Sequence, residues 1–213
     1  VTLDSNIDLT SPIVIKKDIT IDLSGKSVKN PSGDVFVVTA GTLTLKGEGL
    51  VYGSEDNSSS SCAVWVKENG KAIINGGTYK VGDDESSKST GNWRNDCIYA
   101  RDNGQIEING GEFMYTGENP IGHTFLLNCR DEDYKAGKAN IVVKGGKFHN
   151  FNPGASNGEN PVANYLAPGY SSEADGECFV VSEGVKNESA LKSAIEAAEP
   201  GSTVTLDSDV DLT

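Results

Sequence analysis

Apolar and polar residues alternate with a period of two over short stretches of this chain. Val64 and Val66 do so in "VWVKENGKAIINGGTYKVG", as do Ile106 and Ile108 in "IYARDNGQIEINGGEFMYTG". This is the spacing of half-buried strands, not the 3.6-residue period of a helix. A third segment, "LNCRDEDYKAGKANIVVKGGKFHNF", repeats the order strand, corner, strand, and "VFVVTAGTLTLKGEGLVYG" fits with one residue fewer around its glycines. Leu45, Ile74, Ile108 and Val143 are the equivalent anchors, 29, 34 and 35 residues apart. The pairs Gly76-Gly77, Gly110-Gly111 and Gly145-Gly146 follow the second strand each time. A recurrent glycine pair marks a corner with no room for a Cβ.

Short strands, tight corners and a drifting period near thirty residues predict a solenoid that climbs one strand spacing per turn, a parallel β-helix. A barrel or sandwich would not need the same strand–corner–strand order in every segment. The segments 83–95 and 131–139 are then flanking loops. One stretch departs from the pattern. "SALKSAIEAA" at 189–198 places Leu191, Ala194, Ile195 and Ala198 at helical spacing, and Pro200-Gly201 ends it.

A longer repeat frames these elements. "VTLDSDVDLT" at 204–213 matches "VTLDSNIDLT" at 1–10 in eight of ten positions. The expectation is a tandem array. Residues 1–184 form one unit with a closing flap near 164–184, 185–201 a cap helix and linker, and 202–213 the start of the next unit. The helix is expected to cap the first coil of that next unit, packing on Val204 and Leu206 and not on the flap. The flap "NYLAPGYSSEADGECFVVSEG" reads as two strands turning at Asp175-Gly176.

The glycine-paired coils, the "ALKSAIEAAEPGSTVTL" lead-in and the "NYLAPGY…DGECFVV" exit resemble pectin-lyase-like right-handed β-helix modules. Such modules occur in phage virion fibres and tailspikes and in surface proteins of gut bacteria. The resemblance covers nearly the whole chain and implies an all-β, right-handed single-stranded parallel β-helix of about six coils with a short cap helix. It also implies an extracellular location, on a virion or bacterial cell surface, and often trimeric assembly. It does not imply an enzyme, because the architecture hosts lyases, glycosidases and inert spacers alike.

Charge narrows the partners. A formal charge of −13 and a pI near 4.5 argue against nucleic acid, which needs a basic stripe. No apolar run approaches the ~20 residues of a membrane span, so no membrane insertion is expected. Cys62, Cys97, Cys129 and Cys178 lack metal-ligand spacing and read as buried thiols, with a Cys62–Cys97 bridge left open. Asp4, Asn6 and Asp8 begin like a calcium loop, but Leu9 and Ile15 stand where its glycine and glutamate belong. No metal and no cofactor are expected.

The candidate site lies on the outward rows of the coils. Aligning the segments puts Phe36, Trp65 and Tyr99 in one exposed ladder, with Lys67, Arg101 and Arg130 beside it. Three exposed rings in succession point to a contact. One reading is a platform for sugar rings, with the cations binding hydroxyl or acidic groups. A second is a subunit interface, and a third is cover by a loop such as 83–95 through Trp93. The leading function is therefore a structural or adhesive module, with a glycan or other surface ligand, a homo-oligomer and neighbouring repeat units as partners. The alternative is a polysaccharide-degrading enzyme, a glycosidase or lyase. Glu68, Asp102 and Asp131 fall on successive coils, where carboxylates one or two coils apart would match glycosidase spacings of ~5 and ~9.6 Å.

Overall fold

The computed structural model describes residues 1–53, 61–82, 95–116, 125–155, 162, 164–185 and 188–206. Trp93, nearly all of the expected loop 83–95, and residues 207–213 lie outside the described residues. The fold is all-β, with two sheets built largely of parallel strands.

The smaller sheet is ordered β12-β10-β8-β5-β2, namely Phe125–Cys129, Asp96–Ala100, Cys62–Val66, Phe36–Val38 and Ile13–Ile15. Between these strands the chain crosses to the larger sheet and returns each time beside its predecessor. There it lays down β1 (Ile7–Asp8), then β3 (Ile19–Asp22) and β4 (Lys26–Asn30), and next β6 (Thr42–Lys46) and β7 (Gly49–Gly53). The two long strands β9 (Lys71–Gly82) and β11 (Gln105–Thr116) follow, and then β13 (Asn140–Val143) and β14 (Gly146–His149). All pairs among these strands are parallel.

The anchor column is as the alternation requires. Leu45 pairs with Ile74, Ile74 with Ile108 and Ile108 with Val143, and all four are fully buried. The glycine pairs explain themselves on the same side. Gly77, Gly111 and Gly146 all have positive φ, and a Cβ on Gly111 or Gly146 would lie 3.0 Å from the carbonyl oxygen of the equivalent glycine one coil before. Two residues beyond each pair stands a ring. Tyr79, Phe113 and Phe148 are fully buried and stack with centroids 5.1 and 4.8 Å apart, tilted by only 12° and 9°. Phe151 and Tyr165 extend the column at tilted angles and close its far end.

Corner carboxylates and amides satisfy backbone N–H groups of the adjoining coil. Asn6 accepts from Ser27, Asp18 from Thr42, Asp34 from Cys62 and Asn95 from Ser61, at 2.7–3.0 Å. Corners break the strand ladder, so these side chains supply acceptors that the ladder no longer offers. This gives Asn6 a structural partner within the calcium-loop-like segment.

The trailing segments form an antiparallel hairpin, β15 (Tyr170–Asp175) and β16 (Cys178–Glu183), and β16 pairs antiparallel with β14. Helix α2 (Glu188–Ala197) follows. A cleft of about 220 Å³ lies between Ala194 and Ala198, the end of β16 at Ser182 and Glu183, and Val204-Thr205. The helix therefore borders the flap as well as the copied segment. The expected loop 131–139 contains a short helix, α1 (Asp131–Lys135).

Candidate functional site

The outward row of the smaller sheet is set by strand register. Val14 pairs with Val37, Val37 with Trp65, Trp65 with Tyr99, and Tyr99 with Asn128. Phe36 is not in this row. It pairs with Val64 and is fully buried in the core, which removes it from the ligand-binding set. The cause is a run of four apolar residues, Val35 to Val38, in which alternation cannot fix the register. A one-residue slip there turns every side chain to the other face. The corner after β5 is one residue shorter than the corner after β8, because Phe36 aligns with Val64 but Thr42 with Lys71. At the glycines this coil holds one residue more, not fewer, than its neighbour, since Leu45 aligns with Ile74 and Leu50 with Thr78.

Trp65 and Tyr99 are half-buried and stacked, with centroids 6.2 Å apart and planes 27° apart. Lys67 Nζ lies 4.4 Å from the Trp65 ring centroid and the Arg101 guanidinium carbon 5.1 Å. Both distances are within cation–π range. The Trp65 indole N–H is buried and finds no acceptor among the described residues. The Trp65 ring is thus already occupied by the chain's own cations, so the free aromatic surface of the site belongs to Tyr99.

Beside Tyr99 opens a groove of about 360 Å³, lined by Tyr99, Asn128, Arg130, Asp131 and Glu132. Burial first, and then the Asp96 carboxylate, push the Tyr99 phenol up to about 12, so it remains a neutral hydroxyl. Asn128 is buried and donates to Asp96 Oδ1 at 2.9 Å, which orients its amide.

The cations of the row are largely spent within the chain. Arg101 Nε bonds Asp102 Oδ2 at 2.7 Å. Arg130 reaches Asp102 Oδ1 at 3.1 Å, the buried Asp133 at 3.0 Å and Glu132 at 3.5 Å. Asp133 in turn accepts the Asp102 backbone N–H at 2.8 Å. This cluster pins α1 to the corner Arg101–Gly104, where Asp102 and Asn103 both adopt positive φ. Lining the groove are one arginine and two carboxylates, a net charge that does not invite an anion.

Of the three acids of the enzymatic alternative, one lines the groove. Glu68 is exposed at its corner, with φ 58°. Both oxygens of Asp102 are held by guanidinium groups, and Asp102 does not line the groove. Only Asp131 does, paired at 3.5 Å with Lys135. Glu132 is a groove residue that the sequence pattern does not single out, whereas Asn128 continues the outward row Trp65–Tyr99 that the alternation predicts, though not as an expected ligand contact.

All four cysteines are free and buried. Burial pushes the Cys62 and Cys97 thiols well up, so neither is an activated nucleophile. Among the described residues no group of three or more His, Cys, Asp or Glu side chains is placed to hold a metal ion, and no helix is long and apolar enough to cross a membrane. Comparison with protein-family models, with curated proteins and with solved structures finds no match to this chain.

Proposed function

We propose that the chain is one unit of a right-handed parallel β-helix built from tandem units, a structural and adhesive module of an extracellular or virion surface. The observation that carries this reading is the regular return of the chain to the smaller sheet, each time one strand further on. Crossovers between parallel strands are right-handed almost without exception, which gives the coil its hand. Trimeric assembly has less support than end-to-end assembly. Among the described residues the exposed large apolar side chains are Val1, Val14, Ile195 and Leu206, and three of these four lie near the ends of the chain.

The Tyr99 groove supports an adhesive role with a neutral glycan as ligand. It offers a ring face, a buried and oriented amide, one guanidinium donor and two carboxylate acceptors. That is the chemistry of hydroxyl recognition against a stacked sugar ring. An acidic glycan would meet two carboxylates at the groove and the chain's overall negative charge. Binding without turnover is the reading adopted, because the acids of successive coils do not converge on the groove.

The test is a glycan array screened with the intact chain. Neutral glycans should bind, and Tyr99→Ala should abolish the signal while leaving the circular-dichroism spectrum unchanged. Phe36 variants should change stability and not ligand preference. Release of reducing ends from a bound polysaccharide, lost in Asp131→Asn, would overturn the non-catalytic reading. A silent array would remove the adhesive role and leave the structural one.

A further inference from the structure

The segment that repeats the chain's first residues also shows what those residues pair with. Thr2 bridges in parallel with Asp22: the Asp22 N–H donates to Val1 O at 2.8 Å, and the Leu3 N–H donates to Asp22 O at 3.0 Å. Val1 O and Leu3 N–H therefore face the unit's own β3. Backbone groups of a strand alternate between its two edges, so Thr2 O belongs to the other edge.

At the opposite end of the chain, Leu206 bridges in parallel with Val185, and the Val185 N–H donates to Thr205 O at 3.0 Å. Thr205 is the counterpart of Thr2. Among the described residues the copy thus pairs along the edge opposite to the one that the original uses. The two arrangements do not compete for any backbone group. The Thr205 hydroxyl adds a bond of 3.0 Å to Glu173 of β15.

Apolar surface is matched in the same way. Leu3, Ile7, Leu9, Ile13 and Ile19 are only partly buried against the core, whereas Leu43, Leu45, Ala72 and Ile74 further along are fully buried. Val1 is 73% exposed. At the other end Leu206 is 51% and Ile195 of α2 59% exposed. Both regions thus carry exposed apolar area among the described residues.

We infer that successive units are joined through one shared strand. Val1–Leu3 pairs with its own Asp22 along one edge and with Val185 of the preceding unit along the other, the Thr2 hydroxyl meets that unit's Glu173, and α2 of that unit covers the half-buried first coil. This rests on the tandem reading given under the proposed function and adds the interface that makes the array continuous.

The test is a two-unit chain in which residues 1–203 run directly into a complete copy of 1–213, compared with the single chain in urea unfolding and small-angle scattering. A shared strand couples neighbours, so the two-unit chain should unfold at a higher urea midpoint than the single chain and scatter as one rigid elongated body. Val185→Pro in the leading unit removes the donor to the shared strand and should return the midpoint to that of the single chain. Glu173→Ala in the leading unit, an exposed change that leaves the core intact, should lower it part of the way. Equal midpoints for one and two units, with scattering from two flexibly linked bodies, would overturn the inference. That result would leave the tandem reading standing. The tandem reading fails separately, if the sequence of the natural protein beyond Thr213 stops matching residues 11 onward.

Discussion

Phe113→Ala is the sharpest probe of how the coils are held together. Phe113 is fully buried and lies between two nearly parallel rings, Tyr79 at 5.1 Å and Phe148 at 4.8 Å. Phenylalanine-to-alanine changes in cores cost about 3–5 kcal/mol. Loss of both ring pairs places this one near the top of that range, against a total stability of about 5–15 kcal/mol for an ordinary domain. Phe113→Leu separates the two contributions. It keeps most of the apolar area and forfeits the ring pairs, at roughly 0.5–1.5 kcal/mol each, so it should cost about 1–3 kcal/mol. Urea unfolding followed by tryptophan fluorescence and by circular dichroism measures both. On the proposed β-helix reading each coil touches only its neighbours, so Phe113→Ala should also make the two probes diverge, as the stack separates on either side of the cavity. A cost below about 1 kcal/mol for Phe113→Ala, or equal costs for the two variants, would refute the claim that the ring column carries the coupling between coils.

Two further changes test the corners. Gly111→Ala, at φ 109° with a Cβ 3.0 Å from the Gly77 carbonyl oxygen, should cost roughly 1–3 kcal/mol. Gly110→Ala next to it, where the nearest atom would be at 3.4 Å, should be nearly neutral by the same urea assay. Burial pushes the Asp34 carboxyl up from its ordinary 3.8, so the folded state holds this proton more tightly than the unfolded state does. The stability from this group is full below 3.8 and is lost as pH rises through the folded value. Asp34→Asn keeps the acceptor for the Cys62 N–H, so it should raise the urea midpoint at neutral pH, with the gain closing as pH falls toward 3.8.

What the sequence made legible is the residue pattern that recurs from coil to coil. Leu45, Ile74, Ile108 and Val143 form one buried column, and each stands three or four residues before a positive-φ glycine in its own coil. The hairpin at 170–183 was legible for a related reason, since Asp175-Gly176 is a strong local turn signal. The core ring column was equally open to reading. Tyr79, Phe113 and Phe148 each stand two residues beyond a glycine pair.

The site was less legible because it depends on register between coils, and register depends on corner length. The run Val35 to Val38 gives no alternation to fix the outward face, and a corner shortened by one residue moved Phe36 from the expected ligand row into the core. Acidic residues misled for a different reason. Asp18, Asp34 and Asp133 look like solvent charges in sequence, yet each accepts a backbone N–H from another coil. Which N–H they meet is decided some 24 to 31 residues away, beyond any local pattern. Asp102 carries a related duty, since its two oxygens are held by Arg101 and Arg130 from consecutive coils. A corner acid in this fold is therefore first a candidate acceptor for the neighbouring coil, and a chemical role requires it to be free of that duty. Asp131 and Glu132 at the Tyr99 groove come nearest to meeting that condition, and they sit where a sugar hydroxyl would find an acceptor.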